Sequence, residues 1–95
     1  MADELRIINP DAKRLLIARL GRIEGQIRGL QEMIAQEEDC EQIAQQITAV
    51  RSAFNKVFAE MIADELQAVD SLKNLTDEAR HARLATLAKV LAKYA

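Results

Sequence analysis

Cys40 and His81 are the only cysteine and the only histidine in this 95-residue chain. A thiolate can act as a nucleophile or a metal ligand, and an imidazole can act as a base or a metal ligand. One thiol per chain provides no framework of internal disulfides. Chemistry beyond packing and charge must therefore use Cys40, use carboxylates, or combine groups from two subunits. No nucleophile–base pair or cofactor motif is visible, so we expect that the protein is not an enzyme.

Cys40 directly follows the acidic run Glu37-Glu38-Asp39. Asp39 is a good helix N-cap, and Gln42 three positions later fits a variant of the capping box, which predicts Cys40 as the first residue of a helix. The neighbouring carboxylates could serve as oxygen ligands or attract a cation. The alternative is that Cys40 is a small apolar residue with no sensing role. His81 lies among arginines, and we expect an ordinary surface histidine.

Charge is unevenly distributed along the chain, although the net charge is only -2. Residues 13–28 carry five cations and a single acid, whereas residues 60–78 carry six acids and one lysine. Local fields of this kind influence the choice of partner more than the net charge does. The N-terminus lacks the basic and apolar stretches of a signal peptide, and no apolar run could span a membrane. We therefore expect a cytoplasmic protein.

Three helices must position these residues. Asn9-Pro10 predicts a helix start, and apolar residues then recur at alternating spacings of four and three. The predicted helices cover about residues 10–36, 40–69 and 76–93, with Thr76 as the third N-cap. We expect residues 1–95 to form one all-α domain. Gly21, Gly25 and Gly29 share one line of the first helix and each disfavours it by about 1 kcal/mol, which predicts close packing by another backbone.

The two long helices carry more apolar surface than one short helix can cover. We therefore expect an obligate homo-oligomer, with a monomeric three-helix bundle as the alternative.

Two segments carry a family resemblance: RIEGQIRGL at residues 22–30 and QQITAVRSA at residues 45–53. Together with Cys40 they resemble the CsoR/RcnR/FrmR family of bacterial transcriptional repressors, over about residues 12–66. The resemblance implies a three-helix protomer whose two long helices form an antiparallel four-helix-bundle dimer, and a dimer of dimers. It also implies binding to double-stranded operator DNA, ended by a small inducer sensed near the start of the second helix.

A basic surface on the first two helices is the predicted DNA interface, because arginine and lysine bind phosphate and little acid neutralises them there. A merely solvated face is the alternative. Few aromatic residues accompany the cations, which argues against single-stranded nucleic acid. The predicted contacts are Lys13, Arg14, Arg19, Arg22, Gln26, Arg28, Arg51 and Lys56.

The resemblance places the sensor at Cys40 together with residues of a partner protomer. The positions where metal-sensing relatives carry His and a second Cys or His hold Glu65 and Val69 here. The usual Cu(I) site is therefore not intact, since Cu(I) prefers thiolate and imidazole. A divalent metal held by Cys40, Glu65 and nearby acids stays open, as does recruitment of His81.

Electrophile or thiol chemistry at Cys40 is the interpretation that we favour. Formaldehyde sensors of this family join the thiol to a partner's N-terminal amine, which Ala2 would supply here after removal of Met1. Persulfide chemistry would need a second Cys40 or a small thiol. The leading hypothesis is thus a homotetrameric repressor that senses a small inducer. The alternative is a helical homo-oligomeric interaction module that does not bind DNA.

Overall fold

Three α-helices make up the computed structural model, which describes residues 5–72 and 75–95. They are α1 (Pro10–Ala35), α2 (Cys40–Ser71) and α3 (Asp77–Tyr94), and the described residues contain no strand. The all-α prediction is confirmed, and each predicted helix end lies within about two residues of the observed one. No helix in the described part of the chain is long and apolar enough to cross a membrane.

Side-chain caps begin all three helices. The Asn9 side chain accepts hydrogen bonds from the first turn of α1, and the Asp39 side chain accepts one from the Glu41 amide at 3.1 Å. The Thr76 hydroxyl accepts one from the third residue of α3. These bonds satisfy backbone donors that have no partner inside the helix. They also fix Cys40 as the first residue of α2, as predicted.

The turn between α1 and α2 is closed by a left-handed residue, Glu37, whose φ is 58°. The Glu37 amide donates to the Ile34 carbonyl at 3.1 Å, and the Glu38 amide donates to the Met33 carbonyl at 3.0 Å. This pair of bonds is the Schellman motif, which normally uses glycine at the left-handed position. The short turn makes α1 and α2 an antiparallel hairpin.

Buried side chains hold the hairpin together. Leu16 and Ile23 on α1 and Val50 on α2 are buried. A second cluster joins the C-terminal half of α2 to α3 through Ile62, Val69 and Leu87. The α3 helix therefore covers only the end of α2 that lies far from Cys40.

Arg80 ties α3 to the C-terminal end of α2. Its guanidinium donates hydrogen bonds to the carbonyl oxygens of Val69 at 2.6 Å, Asp70 at 3.3 Å and Leu72 at 2.8 Å. The last carbonyls of a helix have no partner inside it, so one arginine side chain replaces the missing donors. Arg80 thus fixes where α3 begins relative to α2.

The protomer is elongated, with extents of 58 × 26 × 19 Å and a radius of gyration of 17.7 Å. A compact chain of this length would have a radius of gyration of about 12 Å. Large apolar side chains remain exposed along both long helices: Ile17, Leu20, Ile27, Ile34, Ile47 and Phe54. A Cβ atom added at Gly21, Gly25 or Gly29 would meet nothing within 4 Å. The close packing predicted at these glycines is not made by this protomer.

Candidate nucleic-acid interface and sensor residues

Four of the predicted DNA-contacting residues line a single groove between α1 and α2. Arg19, Arg22 and Gln26 enter it from α1 and Lys56 enters it from α2, around a cavity of about 190 Å³. The α1 residues are three and four positions apart, the spacing that places side chains on one side of a helix. Three cations and one amide donor make this groove suited to a phosphate group. We call it the basic groove.

Arg19 is paired across the hairpin with an acid that was not among the predicted site residues. Its Nε atom lies 2.6 Å from Oε2 of Glu60 on α2, and the two side chains are 26% and 27% exposed. Both atoms are excluded from solvent, and the N–H is not aligned well enough to count as a hydrogen bond. The contact is therefore an ion pair between the two helices.

The other predicted cations lie outside the basic groove. Arg14 forms an exposed ion pair with Asp11 at 3.3 Å, and Lys13 is exposed near the start of α1. Arg28 borders an open depression on α1 beside two of the glycines. Arg51 is about 140° around α2 from Lys56, and its Nη2 atom donates to the Thr48 hydroxyl at 3.5 Å. Arg51 therefore does not extend the groove.

Cys40 is a free, exposed thiol at the first position of α2. Its amide lies among the unsatisfied donors of a helix N-terminus, and Asp39 caps the same turn. The thiol is thus accessible to small reagents in the protomer. Ala2, the predicted source of a partner amine, lies outside the described residues.

Glu65 is buried at the opposite end of α2, where only 9% of the residue is exposed. Burial raises the pKa of its carboxyl above the ordinary value of 4.5; the charge of Arg83 on α3 opposes this shift, and that of Asp64 adds to it. A buried carboxyl keeps its proton more readily because its charged form has lost water.

The pocket around Glu65 combines charged and apolar walls. Its volume is about 320 Å³, and Arg6, Asp64, Arg83 and Val69 are among the residues that line it. The Oδ2 atom of Asp64 is buried and has no hydrogen-bond partner. Glu65 and Val69, which occupy the positions expected for the family's ligands, are therefore neighbours in one pocket. The segment before α1 and the C-terminal end of α2 form most of its wall, and Arg83 lines it from α3.

The donors of one protomer do not fit a metal ion. Cys40 and Glu65 are 25 positions apart on α2, which corresponds to about 38 Å along a continuous helix. Within the described ranges, no three His, Cys, Asp or Glu side chains come together as a metal site. His81 is exposed on α3. Any site that uses both Cys40 and Glu65 needs two protomers.

Glu60 and Arg83 were not predicted from the sequence. An approximate signal for Glu60 existed: in an antiparallel hairpin, residues at similar distances from the turn lie near each other. Arg19 is about four and a half helical turns from the end of α1, and Glu60 is about five and a half from the start of α2. The contribution of Arg83 had no such signal, because it depends on how α3 returns along α2 after its connector.

Comparisons with known proteins agree on one family. Residues 12–93 match the family described as metal-sensitive transcriptional repressor. The chain is 35% identical over 83 residues to the transcriptional repressor RcnR of Salmonella paratyphi B and to that of Salmonella typhimurium, covering 86% of this chain and 90% of each relative. Its fold is similar to a variant of the formaldehyde-responsive regulator FrmR from Salmonella enterica serovar Typhimurium. That match has a TM-score of 0.82 at 31% identity and covers 94% of this chain and 100% of that one.

Proposed function

Because this chain belongs to the metal-sensitive transcriptional repressor family, the CsoR/RcnR/FrmR family, we propose that it represses transcription by binding double-stranded operator DNA. A small inducer, sensed at a site between protomers that includes Cys40, ends this binding. The relatives' names support a repressor and give no support to an interaction module without DNA binding. Acting on DNA in a bacterial cell implies a cytoplasmic location.

The basic groove is the observation that carries the DNA-binding part of this function. It gathers Arg19, Arg22, Gln26 and Lys56 from two helices around one cavity. Arginine and lysine that neutralise phosphates release counterions, which supplies much of the affinity for DNA. Phosphate contacts position the protein on the duplex but do not recognise the base sequence. The operator would therefore be distinguished largely through DNA shape and through any base contact by Gln26.

Homo-oligomerisation would multiply this groove and give a larger surface for binding DNA. The exposed apolar side chains on α1 and α2 leave a face that a second copy could cover, since a four-helix bundle buries such stripes. A dimer of dimers would carry four basic grooves. Each groove that engages DNA adds its own counterion release.

The sensor requires the same assembly. Because Cys40 and Glu65 occupy opposite ends of α2, an antiparallel second copy would bring one protomer's Cys40 toward its partner's Glu65. Attack of the Cys40 thiolate on a small electrophile such as formaldehyde forms a carbon–sulfur bond. Condensation with an amine, for which Ala2 is the sequence candidate, would release water and complete a methylene bridge. A divalent metal held by Cys40, Glu65 and nearby acids is the weaker candidate, because one thiolate with carboxylates is an unusual ligand set for zinc.

Release of DNA can follow from the arrangement of α2. This helix carries Cys40 and Glu65 as well as Lys56 and Glu60, which line or border the basic groove. A bond formed at the end of α2 would shift α2 relative to α1, which carries Arg19 and Arg22. The distances between these arginines and Lys56 would then change, and the affinity for DNA would fall.

Binding to a duplex from the chain's own promoter, measured across salt concentrations, tests this function. We expect the logarithm of the association constant to fall steeply with the logarithm of salt, with a slope of about -0.9 per phosphate neutralised. A duplex of scrambled sequence is the control and should bind more weakly. A weak response that is flat in salt and indifferent to sequence would remove the repressor assignment.

A further inference from the structure

The Arg19–Glu60 ion pair occupies an unusual position at the edge of the basic groove. Arg19 lines the groove together with Arg22, Gln26 and Lys56, while its Nε atom faces Glu60 at 2.6 Å. A guanidinium carries five N–H donors in a rigid planar fork. Contact through Nε leaves the two Nη atoms as free donors, since no described residue accepts a hydrogen bond from them.

This pair differs from an ordinary surface salt bridge in two respects. It joins two helices, and its contacting atoms are excluded from solvent although the side chains are about a quarter exposed. The other ion pair on α1, between Arg14 and Asp11, is intrahelical with both side chains mostly exposed. A long arginine side chain held at one end has already lost much of the rotamer freedom that binding would otherwise remove.

We infer that Glu60 is a positioning residue for DNA binding: it holds the Arg19 guanidinium so that its Nη edge forms part of a phosphate subsite with Arg22 and Lys56. The inference rests on the proposed repressor function and deepens it. The ligand of the subsite is a phosphodiester group of the operator backbone. Glu60 itself does not touch the DNA.

Long-range charge repulsion and positioning of Arg19 predict opposite effects of removing Glu60 on DNA affinity. Glu60 is an anion beside a polyanion's binding site, so removing it should strengthen binding if it acts only through long-range repulsion. If Glu60 acts by orienting Arg19, removing it frees the guanidinium and should weaken binding. The sign of the change in affinity therefore separates the two roles.

Binding of the promoter duplex to full-length Glu60→Ala and Glu60→Gln provides the test. We expect Glu60→Ala to weaken binding on the order of tenfold, which corresponds to the loss of one charge-assisted hydrogen bond to phosphate. The salt slope should also become smaller. Glu60→Gln keeps the size of the side chain but removes the charge that holds Arg19, so it should also weaken binding. Thermal unfolding and oligomeric state are measured for each variant as controls. A folding defect would change the unfolding temperature or the oligomeric state, but it would leave the salt slope of the folded protein unchanged.

A double-mutant cycle checks that Glu60 acts through Arg19. In the Arg19→Ala background, replacing Glu60 should no longer weaken binding. Tighter or unchanged binding by any folded Glu60 variant in the wild-type background would overturn the positioning role. If Glu60→Ala does not fold, Glu60→Gln still decides the sign. Failure of the wild type to bind with a salt dependence would instead overturn the repressor function itself, so the two failures are distinguishable.

Discussion

Cys40 and Glu65 lie on the same side of α2, separated by 25 residues, which is almost seven complete helical turns and about 38 Å. Cys40 is exposed at the first turn, and Glu65 is buried in a pocket lined by the segment before α1, the end of α2 and Arg83 of α3. Within one protomer these two side chains can never meet. Two copies of α2 packed antiparallel would align the exposed thiol of one with the buried carboxyl pocket of the other.

Burial of Glu65 predicts a specific dependence of stability on pH. Below the ordinary value of 4.5, the carboxyl is protonated in both the folded and the unfolded chain. As pH rises above 4.5, the unfolded chain loses this proton first, because burial raises the pKa in the folded state. The folded state then holds more protons, so the wild type loses stability as pH rises through this window.

Glu65→Gln should therefore gain stability relative to the wild type as pH rises from below 4.5 to neutrality. Urea unfolding at a series of pH values measures this difference, and the exposed Glu24→Gln is the matched control. A difference between Glu65→Gln and wild type that shrinks with rising pH would contradict the assigned environment.

Single cations of the basic groove should contribute measurably to DNA affinity. We expect Arg22→Ala or Lys56→Ala to weaken promoter binding about tenfold and to reduce the salt slope by roughly 1 for each phosphate that is no longer neutralised. Lys89 on α3 is an exposed cation away from the groove, so Lys89→Ala is the matched control. Equal losses of affinity in all three variants would indicate general charge attraction rather than a defined groove.

Arg80 should stabilise the protomer by fixing α3. Its guanidinium serves three carbonyl oxygens at the end of α2, and one of these bonds is partly buried. Arg80→Ala should lower the free energy of unfolding by about 2 kcal/mol, since hydrogen bonds that involve a charged donor exceed neutral ones. Arg80→Lys keeps the charge without the fork and should recover only part of the stability. An unchanged denaturation midpoint for Arg80→Ala would show that α3 docks without these hydrogen bonds.

Glu37 holds a left-handed backbone conformation three residues before Cys40. Glycine adopts this conformation without the steric cost of a Cβ atom, so Glu37→Gly should stabilise the protein by about 1 kcal/mol. Glu38→Gly is the control and should not stabilise it, since Glu38 has no positive φ. Equal effects of the two substitutions in thermal unfolding would argue against stored strain at Glu37.

Local signals were sufficient to predict the helices and their order. The caps Asn9, Asp39 and Thr76 and the apolar spacing depend on neighbouring residues, so the helix ends could be located to within about two positions. The same reasoning placed Cys40 at the start of α2. The family resemblance, carried by residues 22–30 and 45–53, supplied the operator-binding hypothesis.

Tertiary relationships were harder to predict. Arg19 looks like a free cation in the sequence, and its partner Glu60 becomes visible only when the register of the α1–α2 hairpin is known. Glu65 is buried, and the pocket around it includes the segment before α1 and Arg83 of α3, whose positions do not follow from the sequence near Glu65. Arg51 and Lys56 are close in sequence but occupy different sides of α2, so only Lys56 lines the basic groove of the protomer.

Inducer-dependent release of the promoter duplex by wild type and by Cys40→Ala tests the central claim most directly. The two proteins are bound to the same duplex and exposed to formaldehyde, with a divalent metal and a persulfide donor as separate arms, and intact mass is recorded. We predict that the active inducer releases the wild type and modifies its mass, while Cys40→Ala binds DNA equally well and stays bound. Release of Cys40→Ala by that inducer at the wild-type concentration would contradict a sensor centred on Cys40.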